Sequence, residues 1–318
     1  MNARENAPRV SLGMPVYNGA NFVREAIASL LEQTFRDFEL IIVDNASTDD
    51  TEAICRGFAE ADERIRFYRN SENIGAGKNF NLAVTYARGE YFKWAAHDDL
   101  CHPRFLEECV EVMDRNPDAA LAYPKSRIID AASNFVDSPY VVSEGTNDED
   151  PVVRFKGLVK PHVCYQVFGL MRLSILRQTP LIGLYARGDE ILMCWLGLRG
   201  RFVPIDEFLF YPRKHEAQSM SFLGNRKRTS ADFVAYSVWF DPNWRNRLVF
   251  PWWRSLRELI WCVLKAPISI GGKIRCQLVV LRWAISRKRS LLRDVVLQMK
   301  VLAASFAPAR ERSDKSPS

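Results

Sequence analysis

Short apolar runs alternate with longer stretches of helical period through the first 125 residues. Residues 10–14 are apolar and run into Pro15, which marks a strand end. Over 20–33, Phe22, Val23, Ala26, Ile27, Leu30 and Leu31 recur at helical spacing. Residues 38–43 (FELIIV) form an apolar run between polar flanks, the pattern of a strand buried on both faces. The alternation continues with a helix to about residue 61, a strand at 65–69 and a helix over 76–87 that stops near Gly89. A strand at 91–95, a helix over 103–115 with Pro103 in its first turn, and a strand at 119–123 complete it. Strands separated by helices of this length predict βαβ units and a mainly parallel sheet. Ligands of such sheets sit beyond the carboxyl ends of the strands, which directs attention to the loops at 15–19, 44–50, 70–78 and 97–100. After about residue 125 the alternation breaks down. Residues 133–150 read as a polar loop, 151–215 as mixed structure with a helix over 190–198, and 307–318 as a frayed end.

Composition narrows the class. The chain has 318 residues, 47% of them hydrophobic and 26% charged, which excludes disordered, collagen-like and disulfide-stapled proteins. Its net charge of +6 is unevenly spread. Residues 241–318 hold 16 Lys and Arg against five Asp and Glu, whereas 1–240 hold 28 against 33. Six of the eight Trp fall between Trp239 and Trp283. This shift marks a boundary near residue 240. The polar start MNARENAPRV lacks the apolar core of a signal peptide, and no uncharged apolar run is long enough for a spanning helix. Seven scattered Cys without a CxxC pair predict reduced thiols in a cytoplasmic protein.

Five motifs carry candidate chemistry. His97-Asp98-Asp99 follows directly on an apolar strand. Buried carboxylates need a partner, and a divalent cation such as Mg²⁺ or Mn²⁺ suits hard oxygen ligands; equally, one of the two could cap the helix that follows. Asp44 ends a buried strand, where a carboxylate can accept an N–H from a nucleobase, while Ser47–Asp50 suit a turn and helix cap. Residues 73–79 (NIGAGKN) look like a P-loop but carry Glu72 at its first Gly position and Asn79 after the Lys, so that motif is rejected. No GxGxxG follows the first strand, which argues against a dinucleotide dehydrogenase. Gly188-Asp189-Glu190 heads an apolar helix, where acids either suit the helix dipole or supply a general base. His215 stands in a YPRKH segment, either structural or a ligand.

Taken together, GMPVYNG at 13–19, IIVDNASTDDT at 41–51, NIGAGKNFNLA at 73–83 and HDD at 97–99 resemble the family 2 glycosyltransferases. The resemblance is strong over residues 8–125, weaker to His215, and does not cover the basic tail. It implies an α/β GT-A fold over 1–240, with a nucleotide-sugar-binding half at 8–125 and an acceptor half at 126–240. It further implies that Pro15 and Tyr17 line the nucleobase and ribose, that Asp44 reads the base, and that Lys78 contacts base or phosphate where many relatives have Arg. Asp98 would contact ribose or metal, Asp99 would bind Mn²⁺ or Mg²⁺ at the diphosphate, and His215 would complete that site. Asp189 aligns with the catalytic base, with Glu190 beside it, in reversed order from the pair common in the family. The implied reaction is inverting transfer of a sugar from a nucleotide-sugar to a hydroxyl of a saccharide or lipid-linked acceptor, in assembly of a polysaccharide or glycolipid.

The tail changes the picture of location. Within 241–318, residues 254–265 and 273–293 read as amphipathic helices with Trp and cationic flanks. They suit the headgroup region of an anionic membrane, on the inner face of the cell membrane, or else pack on the catalytic domain with their basic face solvated. No nucleic-acid-binding motif accompanies the basic residues. A competing function is a non-catalytic nucleotide-binding scaffold on the same fold; the presence of Asp44, Asp98, Asp99 and Asp189 disfavours it. A nucleotidyltransferase would need a basic, Gly-rich first loop, which GMPVYNG does not supply.

Overall fold

The structure, a computed structural model, describes residues 7–137, 144–160, 163–216 and 230–306. The expected frayed end at 307–318 and the middle of the polar loop at 133–150 lie outside the described residues.

Each strand expected in the first half forms: β1 (Val10–Val16), β2 (Phe38–Asp44), β3 (Ile65–Arg69) and β4 (Tyr91–Trp94), followed by a two-residue β5 (Leu100–Cys101) and by β6 (Ala119–Ser126). β1 and β2 are buried along their whole length, as continuous apolar runs require of strands covered on both faces. Between them run α1 (Val23–Leu31), α2 (Thr51–Ala61), α3 (Ala76–Tyr86) and α4 (Phe105–Arg115). Gly75 admits α3: its φ of +88° is left-handed, and a Cβ there would lie 2.5 Å from Pro242.

The second half adds α5 (Pro151–Val159), β7 (Leu170–Arg172), α6 (Leu173–Leu176), α7 (Gly188–Gly197) and β8 (Arg201–Tyr211). The eight strands form one sheet in the order β3-β2-β1-β4-β7-β6-β8-β5. β3, β2, β1 and β4 are mutually parallel, β7 is antiparallel to both β4 and β6, β6 and β8 are parallel, and β5 returns antiparallel on β8. The sheet is therefore mainly parallel, with β7 inserted between the four parallel strands β3-β2-β1-β4 and the rest.

Four helices follow: α8 (Ser230–Phe240), α9 (Pro251–Lys265), α10 (Ile270–Ser286) and α11 (Lys288–Phe306). The helix expected over 273–293 is instead two, broken at Arg287, whose N–H turns back onto the Trp283 and Ala284 carbonyls. α9 packs on α7 and α8, and α10 on α5 and α9. Leu259, Cys262, Val263, Cys276, Val280 and Trp283 share one apolar core with the second half of the sheet domain. Among the described residues, no helix is long and apolar enough to cross a membrane.

Candidate active site

A cavity of about 1140 Å³ opens at the carboxyl ends of β1, β2 and β4. This is the end of the sheet where ligands of parallel sheets bind, and the volume suits a bound metabolite of nucleotide size.

Its first wall is the pair of loops after β1 and β2, which are stitched together. Asn18 turns the chain with φ of +49°. Its N–H donates to Ser47 Oγ at 2.9 Å, and its Oδ1 accepts from the Thr48 N–H at 2.8 Å. Gly19 N–H donates to Thr51 Oγ1 at 2.8 Å. Pro15 and Tyr17 line the cavity, and Tyr17 remains 44% exposed, leaving a ring face open to a ligand.

Two of the expected contacts lie elsewhere. Asp44 is fully buried, accepts from the Ser47 N–H and hydroxyl, and is paired with Arg69; it does not line the cavity. Lys78 does not line it either, and its Nζ lies 3.6 Å from Asp241 Oδ1. Amides take their place. Asn45 Nδ2 donates to Asn73 Oδ1 at 2.9 Å, and Asn70 Nδ2 reaches Asn45 Oδ1 at 3.0 Å and Asn79 Oδ1 at 2.9 Å. Asn45, Asn73 and Asn79 line the cavity. Their clustering in NIGAGKN and after Asp44 was the available signal.

β4 delivers His97, Asp98 and Asp99 to the cavity, and the stretch after β8 delivers His215. His215 Nε2 lies 3.0 Å from Asp98 Oδ2. Burial opposes the Asp98 charge, but the His215 hydrogen bond and the neighbouring imidazoles hold its carboxyl below the usual range. Burial, and then the charge of Asp98, push the Asp99 carboxyl well above that range. Arg213, which sequence reasoning left without a role, fixes this loop. It is fully buried. Its backbone N–H donates to Asp99 Oδ1 at 2.8 Å, its Nε to the Asp98 carbonyl at 2.7 Å, and its Nη2 to Glu25 at 2.8 Å. Lys93 is a second buried cation, with Nζ 3.0 Å from the Trp94 carbonyl and above the Phe105 ring. Among the described residues, no three His, Cys, Asp or Glu side chains converge as a ready-made metal-ligand set.

Asp189 and Glu190 enter the same cavity from the first turn of α7. Gly188 is required there, because a Cβ would lie 2.2 Å from the Gly183 carbonyl oxygen. Arg187 caps α7 in the left-handed region, φ +72°. Its guanidinium stands over the rings of Trp252 and Trp283, at 5.2 and 5.5 Å, and forks onto Glu190 Oε2 at 2.7 and 3.0 Å. Glu190 is thus neutralised in place, while Asp189 has no cationic or hydroxyl side-chain partner among the described residues. Burial and the adjacent Glu190 push the Asp189 carboxyl up to about 6. The Trp-rich tail therefore reaches the acid pair through Arg187, a contact with no local sequence signature.

The cavity lies at the carboxyl edge of an α/β sheet, as in enzymes of this architecture, and comparison with known proteins gives the family. The profile of Glycosyl transferase family 2 matches residues 11–179, more than half of the chain. The chain belongs to that family. It is 38% identical over 136 residues to an uncharacterised glycosyltransferase of Rickettsia typhi, a match covering 42% of this chain and 41% of the relative. It is 32% identical over 136 residues to the chondroitin synthase of Escherichia coli, covering 43% of this chain and 20% of that protein. The match thus spans less than half of each of these relatives. Staphylococcus aureus TarS 1–349, solved with UDP-GlcNAc, superposes with a TM-score of 0.62 at 18% identity, over 88% of this chain and 74% of that one. The mannosyltransferase PcManGT of Pyrobaculum calidifontis, solved with GDP-Man and Mn²⁺, gives 0.53 at 16% identity, over 96% and 77%. These structures bear out the GT-A fold.

Proposed function

We propose that the protein transfers a sugar from a nucleotide-sugar to an acceptor hydroxyl with inversion at the anomeric carbon. The observation that carries this reading is one cavity lined both by the Asp98–Asp99 loop and by an unpaired carboxylate at Asp189. Pro15, Tyr17 and the Asn45–Asn73–Asn79 cluster hold the nucleoside, with Tyr17 against the base. Asp44 acts behind this wall by bracing the loop through Ser47 and Arg69, and Lys78 acts through Asp241 rather than on the ligand.

Two carboxylates are hard oxygen donors that suit Mn²⁺ or Mg²⁺, and the imidazole beside them is a borderline nitrogen donor better matched to Mn²⁺; the raised Asp99 carboxyl beside ionised Asp98 is the environment a cation would relieve. Asp98, Asp99 and His215 would hold it, with the diphosphate and water supplying the remaining ligands. Its chemistry there would be charge neutralisation of the departing diphosphate. The chain's own residues do the rest. Arg213 holds the carboxylate loop against α1. Asp189 accepts the proton of the acceptor hydroxyl as its oxygen attacks the anomeric carbon. The sugar–phosphate bond breaks on the opposite face, and its electron pair leaves with the diphosphate.

The acceptor is a saccharide or a lipid-linked one in polysaccharide or glycolipid assembly. The enzyme works from the cytoplasmic side, peripherally on the membrane, as a sheet domain of 1–240 with the helices of 241–318 as its extension. Support for the donor class comes from the nucleotide-sugar complexes of the two structural relatives. A thermal-shift panel of UDP, GDP, TDP and CDP, each with Mn²⁺ and with EDTA, tests the reading. A ligand at about 100 times its dissociation constant adds about 2.7 kcal/mol and moves the melting point by several degrees. One diphosphate that stabilises the protein more with Mn²⁺ than with EDTA is the expected result. No shift with any of the four sinks it.

A further inference from the structure

Helix α10 is apolar on two opposite faces. Gly272, Cys276, Val280 and Trp283 are its buried stripe against α5 and α9. Ile270, Ile274, Leu278, Leu281 and Ile285 recur at the same helical spacing on the far side. Each of these five is more than half exposed, Ile270 to 80%. α9 repeats the pattern with Trp253, Trp261 and Leu264 exposed, and α11 with Leu292 and Met299. The α9 and α10 stripes lie side by side, because Lys273 Nζ donates to the Leu264 carbonyl at 2.8 Å and Gln277 Nε2 to the Ile260 carbonyl at 3.2 Å. An apolar patch on this scale, unpartnered among the described residues, marks a contact surface rather than ordinary surface composition.

The charges around it select the partner. Residues 251–306 carry eleven Lys and Arg against two acids, Glu258 and Asp294. Neither acid offsets the surface: Glu258 pairs with Arg254 and Arg257, and Asp294 is buried with its carboxylate on the Trp252 N–H. On α10, Lys273 lies to one side of the exposed stripe by helical position, and Arg282 to the other beside Arg275, whose charge is taken up by Asp150 at 2.9 Å. Beside Arg282, a groove of about 260 Å³ between α5 and α10 is lined by Lys156, Lys160, Arg282 and Arg287, with Ser286 and Trp283, and among the described residues no carboxylate lines it. A cationic groove at the rim of an apolar face fits a phosphate headgroup whose acyl chains lie against that face. A protein partner would need an acidic, apolar surface of matching shape; a bilayer supplies both properties without shape.

We propose that the outer face of α9–α11 is the surface that seats this protein on an anionic phospholipid bilayer, with the Lys156–Lys160–Arg282–Arg287 groove taking a lipid phosphate. This rests on the peripheral location read above and gives it an address on the molecule.

The test is co-sedimentation of the full chain with vesicles of phosphatidylcholine alone and of phosphatidylcholine with phosphatidylglycerol. Binding is expected to the mixed vesicles, to fall with salt, and to be weak to neutral ones. Ile274→Glu with Leu281→Glu should lower partitioning at least about tenfold, and Lys156→Ala or Arg282→Ala about fivefold each. All of these positions lie on the surface, so unchanged melting curves are expected alongside. Full binding by the Ile274/Leu281 double variant overturns the assignment while leaving a membrane location by another surface. Absence of binding by the wild type to either vesicle overturns both. A wild-type dimer in light scattering that becomes monomeric in the double variant makes a second copy the occupant and overturns the proposal.

Discussion

Asp189→Asn should raise stability and abolish turnover, and the two effects share one cause. The carboxyl of Asp189 is pushed from 3.8 to about 6 by burial first and by Glu190 second. Between those values the folded chain binds a proton that the unfolded chain has released, so stability falls as pH rises from about 4 to about 6 and is level above that. The displacement corresponds to about 3 kcal/mol lost at neutral pH, at 1.36 kcal/mol per unit. Asp189 faces an open cavity and is only partly covered, so water reduces this to about 1–2 kcal/mol. Asn keeps the shape and cannot ionise. Melting curves of both proteins at pH 4 and pH 7.5 should therefore coincide at the lower pH, with the variant a few degrees higher at the upper one. Wild-type turnover should rise through about pH 6 on the acid side, and the variant should lose it by a factor of about 10² or more. A variant that melts lower at pH 7.5, or whose difference persists at pH 4, would refute the electrostatic reasoning; a variant that turns over normally would remove Asp189 as the base.

Other outcomes follow from the same geometry. Arg187→Gln releases Glu190 from its ion pair, so the acid limb of the rate profile should move to higher pH while nucleoside diphosphate affinity by calorimetry stays unchanged. Asp99→Ala should weaken Mn²⁺-dependent diphosphate binding and leave the metal-independent part intact, measured by titration with and without EDTA. Arg213→Ala leaves the Asp98 carbonyl without its donor, while the half-exposed Glu25 stays solvated, and should cost about 1–3 kcal/mol by denaturant unfolding. Truncation at residue 240 uncovers the apolar face on which Leu259, Cys262 and Val263 pack, so the shortened chain should aggregate rather than remain a soluble enzyme, as read by size-exclusion chromatography.

Strands β1, β2 and β4 were legible because each is a mostly apolar run ended by a polar loop, interrupted only by Ser11, Glu39 and Lys93, and such runs belong to strands covered on both faces. β7 and β8 were not. β7 is three residues long, and β8 carries Pro204, Asp206 and Glu207 through a pairing with two register shifts near its middle, so neither periodicity nor composition marks them. The break at Arg287 is likewise invisible in a stretch whose apolar residues keep helical spacing on both sides. At the site, acids next to a strand end pointed to Asp98 and Asp99, and acids heading an apolar helix pointed to Asp189; the structure brings all three to one cavity. An acid at a strand end misled at Asp44, because Arg69 and Ser47 that claim its carboxylate are a packing outcome. Arg187 and Arg213 stayed unassigned for the same reason: their partners, Trp283 and Glu25, lie 96 and 188 positions away.

The central claim is a single displacement with an acid at Asp189 taking the proton. Proton NMR of the sugar first released from the nucleotide-sugar that binds, with water as the acceptor, tests it most directly. Opposite anomeric configuration to the donor, with the signal absent in Asp189→Asn, is the predicted result. A product that keeps the donor's configuration would contradict it.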